Sequence, residues 1–302
     1  MPAQIVYISG SGRSGSTLLE RIFHSAPGVA AVGEFHCLWR MAADEIACAC
    51  GKPFHDDAFW AAVRERAGFD TAMAAELREL ESRVCRTAYI ARHGFSLARL
   101  GSDPGVMRFL ELQDRLFGAI ADEAGAHTVV DSSKAGPRAW LLACLANARL
   151  IHLYRDPEDV IASWRSRKFD PGLGTPMARP SIPSAAVDWL KAELLARRLE
   201  TRRPIVRMDY ADLCRAPRDE FGRVSAKLDL PEGPAPQWTG PDSFLQGDCY
   251  YSLNGNPDRF ERGPVKISFR RPARDAAPRR ERLAINAAAR LLKQLAPPRS
   301  RI

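Results

Sequence analysis

The chain predicts an α/β fold, a P-loop-like parallel sheet flanked by helices with a helical insertion after the first βα unit. Three observations predict it. The β-branched run at 5–9 empties into a glycine- and serine-rich loop, and the LLERIF that follows begins a helix. Apolar runs at 5–9, 127–131, 149–154 and 205–208 each lead into a polar turn and a helical pattern, the rhythm of a parallel sheet with crossover helices. Between the first two lies an alanine-rich region, 37–124, with Leu77, Leu80 and Val84 at helical spacing.

The first element carries the most chemistry. Gly10-x4-Gly15 has P-loop spacing, with glycines that let backbone approach an anion and a helix whose positive end faces it. Ser16 stands where nucleotide triphosphatases carry lysine, and the nearest cation is Arg13, three positions earlier. A loop without the lysine that reaches the β- and γ-phosphates suits a single 5′-phosphate bearing a transferable group better than a triphosphate.

The second strand ends in Val130-Asp131-Ser132-Ser133-Lys134, an acid, two hydroxyls and a lysine where a sheet strand needs none. Capping of the next helix by Asp131 or Ser132 is the structural alternative. The third ends in Tyr154-Arg155-Asp156-Pro157, with Asp156 as helix cap and Pro157 as first helical residue. Ser163 lies eight residues beyond Arg155, and Arg167 a turn further, so a charged fork and a hydroxyl can share one phosphate across the bend.

Composition narrows the ligand. The 302 residues are 46% hydrophobic and show no division into halves, so one domain is expected over 1–302, with 37–124 as insertion and about 270–302 as a C-terminal basic arm or helix. Lys and Arg number 44 against 36 acids, and the net charge of +8 favours an acidic ligand. Nucleic acid is not indicated, because no basic stripe is interleaved with aromatics and the densest run, 270–282, is broken by Pro272 and Pro278. The most apolar stretch, 140–153, is interrupted by Asn147 and Arg149, so no membrane span and no leader are expected. Seven scattered cysteines point to a reducing compartment, hence the cytoplasm. Cys48-Ala-Cys50 lacks zinc-knuckle spacing, and neither a metal nor a local disulfide is expected there. The Pro- and Gly-rich segments 170–183 and 231–241 read as loops over a site.

Taken together, these motifs resemble the sulfotransferases that use 3′-phosphoadenosine 5′-phosphosulfate (PAPS), in the bacterial branch related to the tyrosylprotein and carbohydrate enzymes. Arg13-Ser14-Gly15-Ser16-Thr17-Leu18 is similar to the family's 5′-phosphosulfate loop, and Arg155-Asp156-Pro157 through Ser163 to its 3′-phosphate motif. Residues 130–134, 207–213 and Gly255-Asn256-Pro257-Asp258-Arg259-Phe260 resemble further landmarks. Tyr251 and Asp57 depart from it, standing where similar members carry a histidine and a cysteine.

The resemblance implies sulfuryl transfer by in-line displacement, with PAP as product and no metal. It implies a carboxylate base after the first helix, where Gly33-Glu34 stands 21 residues beyond Arg13; His36 is the alternative. Glu34 would need its pKa raised toward neutrality by burial. Arg13 and Lys134 would stabilise the sulfuryl group and leaving phosphate, aided by Ser14, Gly15, Ser16 and Thr17. Arg155, Ser163 and Arg167 would hold the 3′-phosphate, with Tyr210 and Arg259 completing the nucleotide pocket. The acceptor is a small molecule, glycan or peptide, with specificity expected in the insertion and in 170–183. The competing readings are a kinase-like phosphotransferase using ATP and a PAP-binding protein without turnover. Oligomeric state is not legible.

Overall fold

The computed structural model describes residues 3–41, 47–166, 168–172, 174–230, 235–247, 250–269 and 278–297. Strand β1 (Gln4–Gly10) runs to the loop, helix α1 (Ser16–His24) follows, and strand β2 (Val29–Ala31) returns at the sheet edge. From there to strand β3 every regular element among the described residues is helical: a 3-10 turn at Phe35–Cys37, α2 (Leu38–Met41), a 3-10 turn at Phe54–Asp56, α3 (Ala58–Ala67), α4 (Thr71–Val84), α5 (Thr87–Arg92), α6 (Leu97–Gly101) and α7 (Pro104–Ala124). Aspartates cap three of them, Asp57, Asp70 and Asp103 each accepting an amide of the first turn.

Strand β3 (Thr128–Lys134) leads through α8 (Gly136–Leu142) to β4 (Ala148–Tyr154) and α9 (Pro157–Arg165), which Asp156 caps as the sequence predicts. A two-residue ladder, β5 (Phe169–Asp170) with β6 (Thr175–Pro176), precedes α10 (Ile182–Glu200) and strand β7 (Val206–Asp209). Helices α11 (Tyr210–Arg215) and α12 (Pro217–Leu228) follow. The chain closes with a meander of β8 (Trp238–Gly240), β9 (Ser243–Gln246) and β10 (Gly263–Lys266), and helix α13 (Arg279–Leu295).

The main sheet is parallel throughout, in the order β2-β3-β1-β4-β7. Chain connections diverge to either side of β1, so the crevice beyond its carboxyl end is where a ligand can enter between loops. Alternation along β1 fixes both faces: Ile5 and Tyr7 join the core under α4 and α7, whereas Val6 and Ile8 join the core under α1 and α12. A third cluster, with Trp189, Ile285 and Leu292, fastens α13 against α9 and α10. No helix among the described residues is long and apolar enough to cross a membrane.

Several sequence expectations change. Strand β2 lacked a signal, because three residues give too short a pattern. Asp131 and Ser132 cap nothing: they lie inside β3, and α8 begins after Ala135 without a side-chain cap. Segment 170–183 contains half of β5, all of β6 and the start of α10, with residue 173 outside the described residues, whereas 231–241 contains β8 but lies outside the described residues at 231–234. Of the basic run 270–282, residues 270–277 also lie outside them, and Arg279–Leu295 form α13, the helix of the two forms expected for this segment. Cys48 and Cys50 are joined in a local disulfide, against expectation.

Candidate functional site

The loop between β1 and α1 is shaped by two backbone positions. Gly15 has φ of 100°, and a Cβ there would meet the Tyr210 ring at 2.2 Å. Arg13 has φ of 67°, a left-handed conformation that non-glycine residues adopt at a cost of about 1–2 kcal/mol. Helix α1 has no side-chain cap, so its leading amides, which lack intrahelical partners, remain for the loop concavity.

Buried polar atoms without partners surround this concavity: Ser14 Oγ, Arg13 Nε and Arg155 Nε. Burial of such donors and acceptors costs about 1–3 kcal/mol each when nothing satisfies them. Arg155, 8% exposed at the end of β4, donates from Nη1 to the Arg13 carbonyl at 2.9 Å. Its guanidinium lies 4.4 Å from the centre of the Tyr210 ring, which stands against Gly15. Arg13 stacks on Trp164 of α9 at 4.8 Å, and burial pulls its pKa down from the ordinary arginine value. Ser163 sits in the last turn of α9. Arg167 lies outside the described residues.

Lys168, its neighbour, was missed by sequence reasoning. Its Nζ donates to Asn256 Oδ1 at 3.2 Å, the same oxygen that Arg13 Nη1 reaches at 3.4 Å. Burial depresses the lysine pKa, and the Arg13 and Arg155 charges add to the effect. Asn256 also binds α1, its amide donating to Thr17 Oγ1 at 3.1 Å. The only sequence signal for it was the Gly255-Asn256-Pro257 landmark, which carried no role.

On the other side of the loop, Lys134 Nζ lies 2.6 Å from Glu34 Oε1 and 3.0 Å from the Ser132 carbonyl. Lys134 also has a left-handed φ, 65°, where β3 departs from register with β1. The turn bearing Glu34 is clasped from two directions: Ser132 N donates to the Gly33 carbonyl at 2.8 Å, and Glu34 N to the Asn254 carbonyl at 3.0 Å. Burial pushes the Glu34 carboxyl up, but Lys134, His36 and Arg259 together hold it below the ordinary carboxylate value. The expected rise toward neutrality is therefore absent. Burial lowers the His36 pKa, and its Nδ1 has no hydrogen-bond partner. Glu34, His36 and Cys37 each bring one potential metal-ligand atom within 4.8 Å of the others, although the Lys134 ammonium already occupies the carboxylate.

Arg259 departs from its expected place in the nucleotide pocket. It is fully buried, and its two terminal nitrogens hold Asp170 at 2.9 and 3.3 Å, pinning β5 to the 257–260 turn. Asp131 serves structure as well: its Oδ2 accepts from Arg138 Nε at 3.0 Å, with both side chains buried. Tyr251 stacks on Phe59, ring centres 3.7 Å apart, and Asp57 caps α3, so both departures have structural work.

Sheet order and loop together define an α/β protein with a P-loop-like turn at its central strand. A model of the sulfotransferase family matches residues 5–234, and the chain belongs to that family. It is thus a transferase of sulfuryl groups. The sulfotransferase domain from the curacin biosynthetic pathway is similar in structure over 97% of each chain, with a TM-score of 0.51 and 16% identity. The sulfotransferase domain from the Synechococcus PCC 7002 olefin synthase shows a TM-score of 0.45 and 20% identity over 96% of this chain and 94% of that one. Sulfotransferase STF9 from Mycobacterium avium shows 0.42 and 17% over 76% and 65%. No curated protein matches the chain.

Proposed function

We propose that this chain transfers a sulfuryl group from PAPS to a hydroxyl or amine, with Glu34 as base. The observation that carries the reading is the set of buried, partnerless polar atoms on Arg13, Ser14 and Arg155 around an uncapped helix start, which suits a phosphate-bearing nucleotide.

Arg13, Lys168 and the amides of 15–17 face the 5′-phosphosulfate, and Arg155 with Ser163 takes the 3′-phosphate. Tyr210 orients Arg155 through its ring. The acceptor O–H or N–H gives its proton to the Glu34 carboxylate as the acceptor atom bonds to sulfur. The bond from sulfur to the phosphate oxygen breaks, and that oxygen keeps the electron pair. Lys134 shifts from Glu34 toward this oxygen, which raises the proton affinity of Glu34 when the proton arrives. Positive charge placed in advance does the work.

The test is calorimetric titration with PAP, using 5′-AMP and ATP as controls and no magnesium. Binding that requires the 3′-phosphate supports the reading. ATP binding without PAP binding would transfer it to the kinase-like alternative.

A further inference from the structure

We infer that the acceptor carries an anionic group, a carboxylate, phosphate or sulfate, beside the hydroxyl or amine that is modified. The inference rests on the donor reading above and concerns a cavity of about 700 Å³ that the loop lines through Gly10, Ser11 and Gly12 and that Arg155 does not line. Backbone of Gly10 to Gly12 forms one wall, and His36, Ser133 and Lys134 form another, so the cavity opens onto the proposed transfer point. Its volume fits a metabolite-sized molecule.

The remaining walls are cationic. Arg40 of α2, Arg78 of α4, Arg86 just before α5 and Lys191 of α10 converge from four separate places in the chain. Arg40 is matched by Glu81 at 3.1 Å. Arg78, Arg86 and Lys191 are exposed and pair with no acid among the described residues, and the one other acid lining the cavity is Asp188. Positive charge thus exceeds negative charge around a concave surface with low-dielectric walls, which focuses the field on whatever enters.

A second observation lies beneath. Arg138 is 1% exposed and gives its Nε to Asp131, while Nη1 and Nη2 have no hydrogen-bond partner. Phe35, Trp39 and Phe109 surround the guanidinium at 5.4 to 5.9 Å. Arg138 is paired with Asp131 and adds no net charge, but it brings two guanidinium nitrogens without hydrogen-bond partners beneath the three unpaired charges on the rim. A neutral acceptor would leave these cations facing one another across the cavity. An anionic one supplies the missing counter-charge and turns its nucleophile toward Lys134 and Glu34.

Matched probe pairs test this by calorimetry on the PAP-saturated protein: para-hydroxyphenylacetate against its amide, and glycerol phosphate against glycerol. The anionic member is expected to bind at least about 10-fold more tightly, with an advantage that shrinks as salt rises. The combined variant Arg78→Gln, Arg86→Gln, Lys191→Gln should lose the preference while keeping its affinity for PAP. Equal behaviour of both members of each pair, including failure of both to bind, overturns the inference, as does a variant that keeps the preference. A wild-type protein that does not bind PAP would overturn the donor reading first.

Discussion

Lys134 Nζ and Glu34 Oε1 lie 2.6 Å apart, each on a side chain that is at least four-fifths buried. The pair joins the end of β3 to the turn after β2. It keeps the proposed base ionised and masked at the same time. Lys134→Met removes the leading charge that holds the Glu34 carboxyl down, and burial then dominates. The Glu34 pKa should move from below the ordinary carboxylate value to above it, read by carbon-detected NMR titration of the side chain. An unmoved titration would mean that the pair does not set the carboxylate's state. Glu34→Gln should cut turnover by about 10²- to 10⁴-fold and leave PAP affinity unchanged, as initial rates and calorimetry would show.

Arg155 is held in place by a bond to the Arg13 carbonyl and by the Tyr210 ring. Arg155→Ala should weaken PAP binding by about 2–3 kcal/mol, the scale of a lost charged hydrogen bond. Affinity for 5′-AMP should change little, because that nucleotide lacks the 3′-phosphate. Equal losses for both nucleotides would place Arg155 on the 5′ side.

The ends of β1 and β4 were legible to within a residue because parallel strands buried on both faces leave continuous apolar runs and polar residues at their ends stand out, whereas β3 runs on to Lys134, three residues past the end expected at Asp131. The β8–β10 meander was not legible: its strands are three or four residues long and separated by proline and glycine. Arg259 shows a different limit. A lone arginine in a motif reads the same whether it meets a phosphate or an acid distant in sequence, and Asp170 lies 89 residues away. The left-handed conformations of Arg13 and Lys134 had no sequence signal, since glycine is the residue that marks such positions.

The Arg259–Asp170 pair is buried on both sides, so breaking it strands a charge. Arg259→Ala should destabilise the fold by about 3–5 kcal/mol, measured by urea denaturation. The double variant with Asp170→Ala should lose less than the sum of the two single changes. Full additivity would show that the pair does not act as a unit.

Glu20 is expected to make the stability of the fold depend on pH. It is fully buried in α1, where Ser132, Tyr250 and Ser252 all donate hydroxyl hydrogen bonds to it. Burial raises its pKa to about 7, against the opposing pull of those hydroxyls and the Lys134 charge. The unfolded chain releases this proton near the ordinary glutamate value, so between there and neutrality the folded state binds one proton more. The Glu20 contribution to stability should therefore fall as pH rises through that window, by up to about 3 kcal/mol, and level off above neutrality. Glu20→Gln removes the titration while keeping a group of the same shape. Urea denaturation at about pH 5 and pH 8 should show a smaller decline in the variant than in the wild type. Identical declines would mean that Glu20 titrates alike in the folded and unfolded chain, and that its three hydroxyl donors offset the cost of burying the charge.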